Sequence, residues 1–162
     1  MDLARSHGLR VPRVLEVRDD ALVLERIHGP TMGRDMTRRP WRIGRHVRTL
    51  VRLHAELHAI PFEGATLLHF DLHPENVLVS PAGPVVIDWT NAHAVQPDSD
   101  VAMTWLILAT AGGLPGRLVA RLFTARVGRV AVRRGLPAAR AFRLHDPYIT
   151  GSERERVKSA AP

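Results

Sequence analysis

Apolar positions along the chain fall into short alternating runs near the start and into helical periods further on. VLEV (residues 14 to 17) and ALVLERI (residues 21 to 27), separated by Arg18-Asp19-Asp20, predict an antiparallel hairpin. A helix end that stops at Gly8 precedes it. Gly29-Pro30 closes the hairpin, and Gly33 predicts that the next stretch stays a loop. Between Trp41 and Ala59, the residues Ile43, Val47, Leu50, Val51, Leu53 and Leu57 keep a helical period that Pro61 ends. Leu67 to Leu72, interrupted by His69 and Asp71 and stopped by Pro74, predicts a strand running into a loop. VLVS (77 to 80), the turn Pro81-Ala82-Gly83-Pro84 and VVID (85 to 88) form the clearest hairpin signal in the chain.

Asp98-Ser99-Asp100 suits a helix start, and residues 101 to 111 are apolar nearly all round, as in a buried helix. Gly112-Gly113 ends it. A further helix is expected to about Arg134, with Gly128 as its weak point, then a short one over 138 to 144. The tail from Asp146 is polar and expected to be loosely held.

Composition narrows the classes. With 162 residues, 45% hydrophobic and 24% charged, the chain suits one folded domain and excludes wholesale disorder. The absence of cysteine excludes disulfide scaffolds, thiolate zinc sites and cysteine nucleophiles. The first ten residues hold no apolar signal core, and the longest apolar run is roughly half a membrane span. A soluble, cytoplasmic protein is expected, with no membrane partner. The net charge of +7 comes from dispersed arginines, and 5% aromatic residues leave few stacking platforms, so a solvated surface is expected rather than a nucleic-acid site.

The chemistry concentrates in His69-Phe70-Asp71-Leu72-His73-Pro74-Glu75-Asn76 and the hairpin that follows. Antiparallel pairing brings Asn76 and Asp88 to the hairpin's open end, and Asp71 lies five residues before Asn76 on a loop that Pro74 keeps from becoming helical. Hard oxygen ligands of this kind suit Mg²⁺. The triplet His69-x-Asp71-x-His73 supports a rival reading, a zinc or iron hydrolase, which leaves Asn76 and Asp88 unused. His54 and His58, four apart, lack an evident third ligand and read as packed or surface histidines. Taken singly, Asp100 reads as a helix N-cap, Trp105, Met32, Met36 and Met103 as core or hinge filler, and Arg133-Arg134 as a solvated helix end.

The pattern H-x-D-x-x-x-x-N, followed by an apolar hairpin ending in Asp, resembles the catalytic loop and metal-binding Asp of protein-kinase-like phosphotransferases. With His73 after Asp71 and Trp89 after Asp88, it is most similar to the aminoglycoside phosphotransferase family. The resemblance implies an α+β, protein-kinase-like fold, mostly a helical C-terminal lobe with a remnant of the N-terminal β lobe. Residues 1–30 would be that remnant and the hinge, 31–145 the helical lobe with catalytic loop and metal hairpin, and 146–162 a polar tail. It implies transfer of a phosphoryl group from ATP, with Mg²⁺, to a hydroxyl of a small molecule. Asp71 would be the base, Asn76 and Asp88 the metal ligands, and His69 and His73 the supports of the loop. Asp100 would brace the loop from a buried helix, and the backbone at Glu25, Arg26 and Ile27 would face adenine.

The sequence also departs from the family. Phe70 and Glu75 stand where glycine is common, no G-x-G-x-x-G occurs, and the only lysine is Lys158, far from where a strand lysine would stand. With that part of the phosphate cradle missing, weak ATP binding and slow turnover are expected. A catalytically inactive, kinase-like binding module is the alternative.

Overall fold

The computed structural model describes the backbone of residues 1–162 and the side chains of residues 1–94 and 96–162. Helix α1 (Asp2–Ser6) leads to the first hairpin, β1 (Val14–Val17) against β2 (Leu22–Leu24), antiparallel with an irregularity between Val14 and Glu16. Strand β2 stops at Leu24, earlier than Ile27, although the Glu25 N–H still donates to the Arg13 carbonyl at 2.8 Å.

The stretch around Gly33 is not the expected loop. It forms α2 (Met32–Arg38), capped by the Thr31 hydroxyl, which accepts from the Arg34 N–H at 3.1 Å. A cap next to a first-turn glycine outweighs the propensity cost of that glycine. Gly33 also leaves room for the Glu75 carboxylate, since a Cβ there would lie 1.8 Å from Glu75 Oε1. Buried Asp35 ties α2 to the next helix by accepting from Arg39 and, at 2.7 Å, from His46 Nε2. The His46 contact holds the Asp35 carboxyl below the usual carboxylate range.

After a 3-10 turn at Pro40–Arg42, α3 (Ile43–His58) buries the face made by His46, Val47, Leu50, Leu53, His54 and Leu57. Strands β3 (Pro61–Phe62) and β4 (Ala65–Leu68) follow, and then β5 (Val77–Ser80) and β6 (Gly83–Val86) form the second hairpin. Its register runs from Val77 opposite Val86 to Ser80 opposite Gly83. The turn is therefore Pro81-Ala82 alone, and the second strand begins two residues earlier than the sequence implied. Strand β7 (His93–Val95) pairs with β4, giving a small antiparallel sheet of order β3-β4-β7.

Helix α4 (Pro97–Thr110) starts on a proline at its first position and is buried nearly all round. Around it lie α5 (Gly113–Val127), α6 (Arg129–His145) and α7 (Gly151–Ser159). The helix expected to reach Arg134 instead ends at Gly128, whose φ of 89° interrupts the hydrogen-bond ladder. The next helix runs unbroken through Gly135 and Pro137 because its packing against α4 overrides local propensity. A Cβ at Gly135 would lie 1.8 Å from the Asp98 carbonyl oxygen, so only glycine lets α6 lie this close to the first turn of α4.

The tail from residue 146, expected to be loosely held, is docked. Val157 of α7 is fully buried, and Arg140 donates to the carbonyls of Val157 and Ala160 at 3.0 and 2.7 Å. The architecture is α+β, a mostly helical body carrying small antiparallel sheets, with a core that joins α3, the loop around Leu72, the second hairpin and α4 to α6. Among the described residues, no helix is long and apolar enough to cross a membrane.

Candidate active site

The loop between β4 and β5 and the open end of the β5–β6 hairpin bring three oxygen-bearing side chains into one neighbourhood. Asn76 Nδ2 donates to both the carbonyl oxygen and Oδ2 of Asp71, each at 2.9 Å. The Asn76 carbonyl accepts from the Ile87 N–H at 3.0 Å, so Asp88 lies one residue beyond Asn76's partner. Asp88 is exposed, has a φ of 58°, and accepts from the Thr90 hydroxyl at 2.7 Å. Burial raises the Asp71 carboxyl above its ordinary range; the charge of Asp88 adds to this, while His73, Asn76 and Arg143 oppose it.

The histidines of the motif do different work. His69 is fully buried, and burial holds its imidazole below the ordinary range, hence neutral. Its Nε2 donates to the Ile87 carbonyl at 2.9 Å, fixing the residue before Asp88, while Nδ1 has no partner among the described residues. Its ring packs on Trp89 with centroids 4.9 Å apart. His73 Nδ1 accepts from the Glu75 N–H at 3.3 Å, and its Nε2 lies 3.6 Å from Asp71 Oδ1. Because His69 faces Ile87, the triplet His69, Asp71 and His73 does not gather as a metal site.

Asp100 is not an N-cap. The side chain lies within the first turn of α4, where Oδ1 accepts from the Phe70 N–H at 2.7 Å. Its Oδ2 accepts from His58 Nε2 at 2.9 Å and from His54 Nδ1 at 3.1 Å. Burial alone would raise the Asp100 carboxyl, but the two histidines outweigh it and hold it well below the carboxylate range. Thr104 donates its one hydroxyl hydrogen to the Leu72 carbonyl at 2.6 Å, so His54 Nε2, 3.0 Å away, must donate to Thr104 Oγ1. Both ring nitrogens of His54 therefore face acceptors, which pins the ring between α3 and α4. The network holds the loop between β4 and β5 at Phe70 and at Leu72.

The ligand atoms of His54, His58 and Asp100 lie within 4.8 Å of one another, so these histidines do have a third potential ligand, which sequence reading missed. No local signal could have found it, since Asp100 stands more than forty residues away along the chain. Two more contributors come from α6, which sequence reading left without a role. Phe142 packs edge-on against Phe70 at 4.7 Å, and Arg143 is near enough to act electrostatically on both Asp71 and His73. The segment Glu25, Arg26 and Ile27 follows β2. The Glu25 carboxylate there accepts from the Arg13 backbone N–H and side-chain Nε, both at 3.2 Å.

Among known proteins, the family model described as the phosphotransferase enzyme family matches residues 63–142, from the turn before β4 to the last turns of α6. No curated protein matches the chain.

Proposed function

We propose, from the match of residues 63–142 to the phosphotransferase enzyme family, that this chain is a cytoplasmic kinase of small molecules, moving the γ-phosphoryl group of ATP to a hydroxyl. The observation that carries the proposal is the bonded path from Asp71 through Asn76 to the residue before Asp88.

The side chains fit a magnesium ion. Asn76 spends its Nδ2 on Asp71, which leaves Oδ1 as a neutral oxygen ligand, and Asp88 adds an exposed carboxylate. Bound by Asn76 and Asp88, magnesium would neutralise charge on the nucleotide phosphates. Asp71 takes the proton of the acceptor hydroxyl, and the upward shift of its carboxyl brings it closer to the basicity that role needs. Asn76 orients Asp71 by holding Oδ2, leaving Oδ1, on the His73 side, to meet the hydroxyl. Asp100 works at one remove by fixing the loop backbone. Because the Glu25 N–H is committed to Arg13, adenine would meet the backbone of Arg26 and Ile27.

The test is ADP release with MgATP over a set of alcohols, in the native chain and in Asp71→Ala. The variant should lose ~10²–10⁴ in kcat, the contribution of a positioned general base. Equal turnover in both would overturn the assignment.

A further inference from the structure

A cleft of about 520 Å³ opens beside the catalytic loop, within the size range of small-molecule sites. The loop itself forms one wall, through His73, Pro74 and Glu75. Helices α2, α4 and α5 form the others with Met36, Ile107, Leu108 and Val119, all buried residues. His73 links this space to the proposed base, since its Nε2 lies 3.6 Å from Asp71 Oδ1.

The charge of the lining is the informative property. Among the described residues, no arginine or lysine lines the cleft, and its only carboxylate is Glu75. That carboxylate is already engaged, because Oε2 accepts from the Thr31 hydroxyl at 2.7 Å and Oε1 lies against Gly33. The stretch from Val101 to His145, which supplies the α4 and α5 walls, contains no Asp or Glu at all. Burial holds the His73 imidazole below its ordinary range, so it adds no full charge near neutral pH. A polyamine entering the cleft would lose the water of several ammonium groups and find a single carboxylate, Glu75, to replace it, whereas an apolar body would lose nothing by leaving water.

We infer that the acceptor is an uncharged, largely apolar alcohol, its body seated among Met36, Ile107, Leu108 and Val119 and its hydroxyl directed past His73 towards Asp71. The inference rests on the phosphotransferase reading for the word acceptor, and on the cleft alone for the class of molecule. Glu75 then serves as a rim strut between the loop and the start of α2, not as a ligand for a cationic substrate.

The experiment reads binding and transfer separately on the full chain. Ligand-observed NMR without nucleotide compares benzyl alcohol, as the apolar probe, with kanamycin, as the cationic one. Phosphorus NMR then follows MgATP with each. Benzyl alcohol should bind saturably and kanamycin should not. Ala111→Asp, at the exposed rim and so tolerable to the fold, should weaken benzyl alcohol about tenfold by placing a charge beside the apolar walls. Val119→Asp, deeper in the cleft, should abolish binding; its circular dichroism reports whether it folds, and Ala111→Asp carries the test if it does not. Preferential binding of kanamycin, or benzyl alcohol binding unchanged in folded Ala111→Asp, would overturn the inferred class. Saturable, Ala111-sensitive binding of benzyl alcohol without any phosphate transfer would count against the phosphotransferase reading and leave the ligand class standing.

Discussion

Two hairpins in this chain follow the same alternating pattern and end in opposite surroundings. In β1–β2, Leu15 is 60% exposed and Val17 73%, and the pairing is irregular between Val14 and Glu16. In β5–β6, Val77 and Val86 are fully buried and the register is continuous. Alternation therefore specifies a strand pair, but its anchorage comes from what packs on it. The second hairpin is held by the Asn76–Ile87 backbone bond, by His69 on the Ile87 carbonyl, and by a loop that Asp100 grips from α4. Two paired strands alone are marginal in water, which is the condition of the first.

The contrast can be broken most forcefully at its anchor. Asp100→Ala should destabilise the chain by about 3–5 kcal/mol, because it leaves the buried Phe70 N–H, His54 and His58 without their acceptor, at roughly 1–3 kcal/mol each. Urea unfolding monitored by circular dichroism measures it, and a loss below about 1 kcal/mol would refute the bracing role of Asp100. Next in size, Val86→Ala should cost about 2 kcal/mol through lost burial and a cavity. Val17→Ala in the first hairpin should stay within about 0.5 kcal/mol in the same assay. Equal costs at the two positions would dissolve the comparison.

The smallest effect is the most specific. Asp71 has a raised folded-state carboxyl, so its stabilising contribution is full below the unfolded value near ~4 and is lost as pH rises through the folded value. Asp71→Asn removes that loss, so it should melt slightly higher than the native chain at neutral pH while losing activity. Asp100 has the opposite sign: its depressed carboxyl stabilises the fold above the unfolded value, and the benefit disappears as pH falls below it. Thermal melts against pH should therefore show the Asp71→Asn advantage growing from acid to neutral pH, and the native chain losing stability steeply on the acid side. The activity profile should rise on an acidic limb above pH ~4, where Asp71 ionises.

Much of this was legible in the sequence where the signal was local. The Pro81-Ala82-Gly83-Pro84 turn located the second hairpin, the spacing of Asp71 and Asn76 anticipated that they meet, and the period from Ile43 to Leu57 located α3. What escaped depends on distant partners. Glycine at 33 argues for a loop until the Thr31 cap and Glu75 are seen together, and Gly135 and Pro137 argue for a break until α4 lies alongside. The polar tail hides two buried side chains, Ile149 and Val157, and its ties run to Arg140 and Arg143 on another helix. His54 and His58 look ordinary because the acid that organises them arrives from a different element.

The missing methyl at Gly135 has a reach beyond its own helix. Because α6 rests directly on the Asp98 carbonyl, any larger side chain would act as a wedge under the start of α4. Two residues further on, Asp100 would be tilted off the Phe70 amide, and Asp71 would be displaced with it. A single hydrogen atom in the last third of the polypeptide thus sets the tolerance to which the proposed base is aimed.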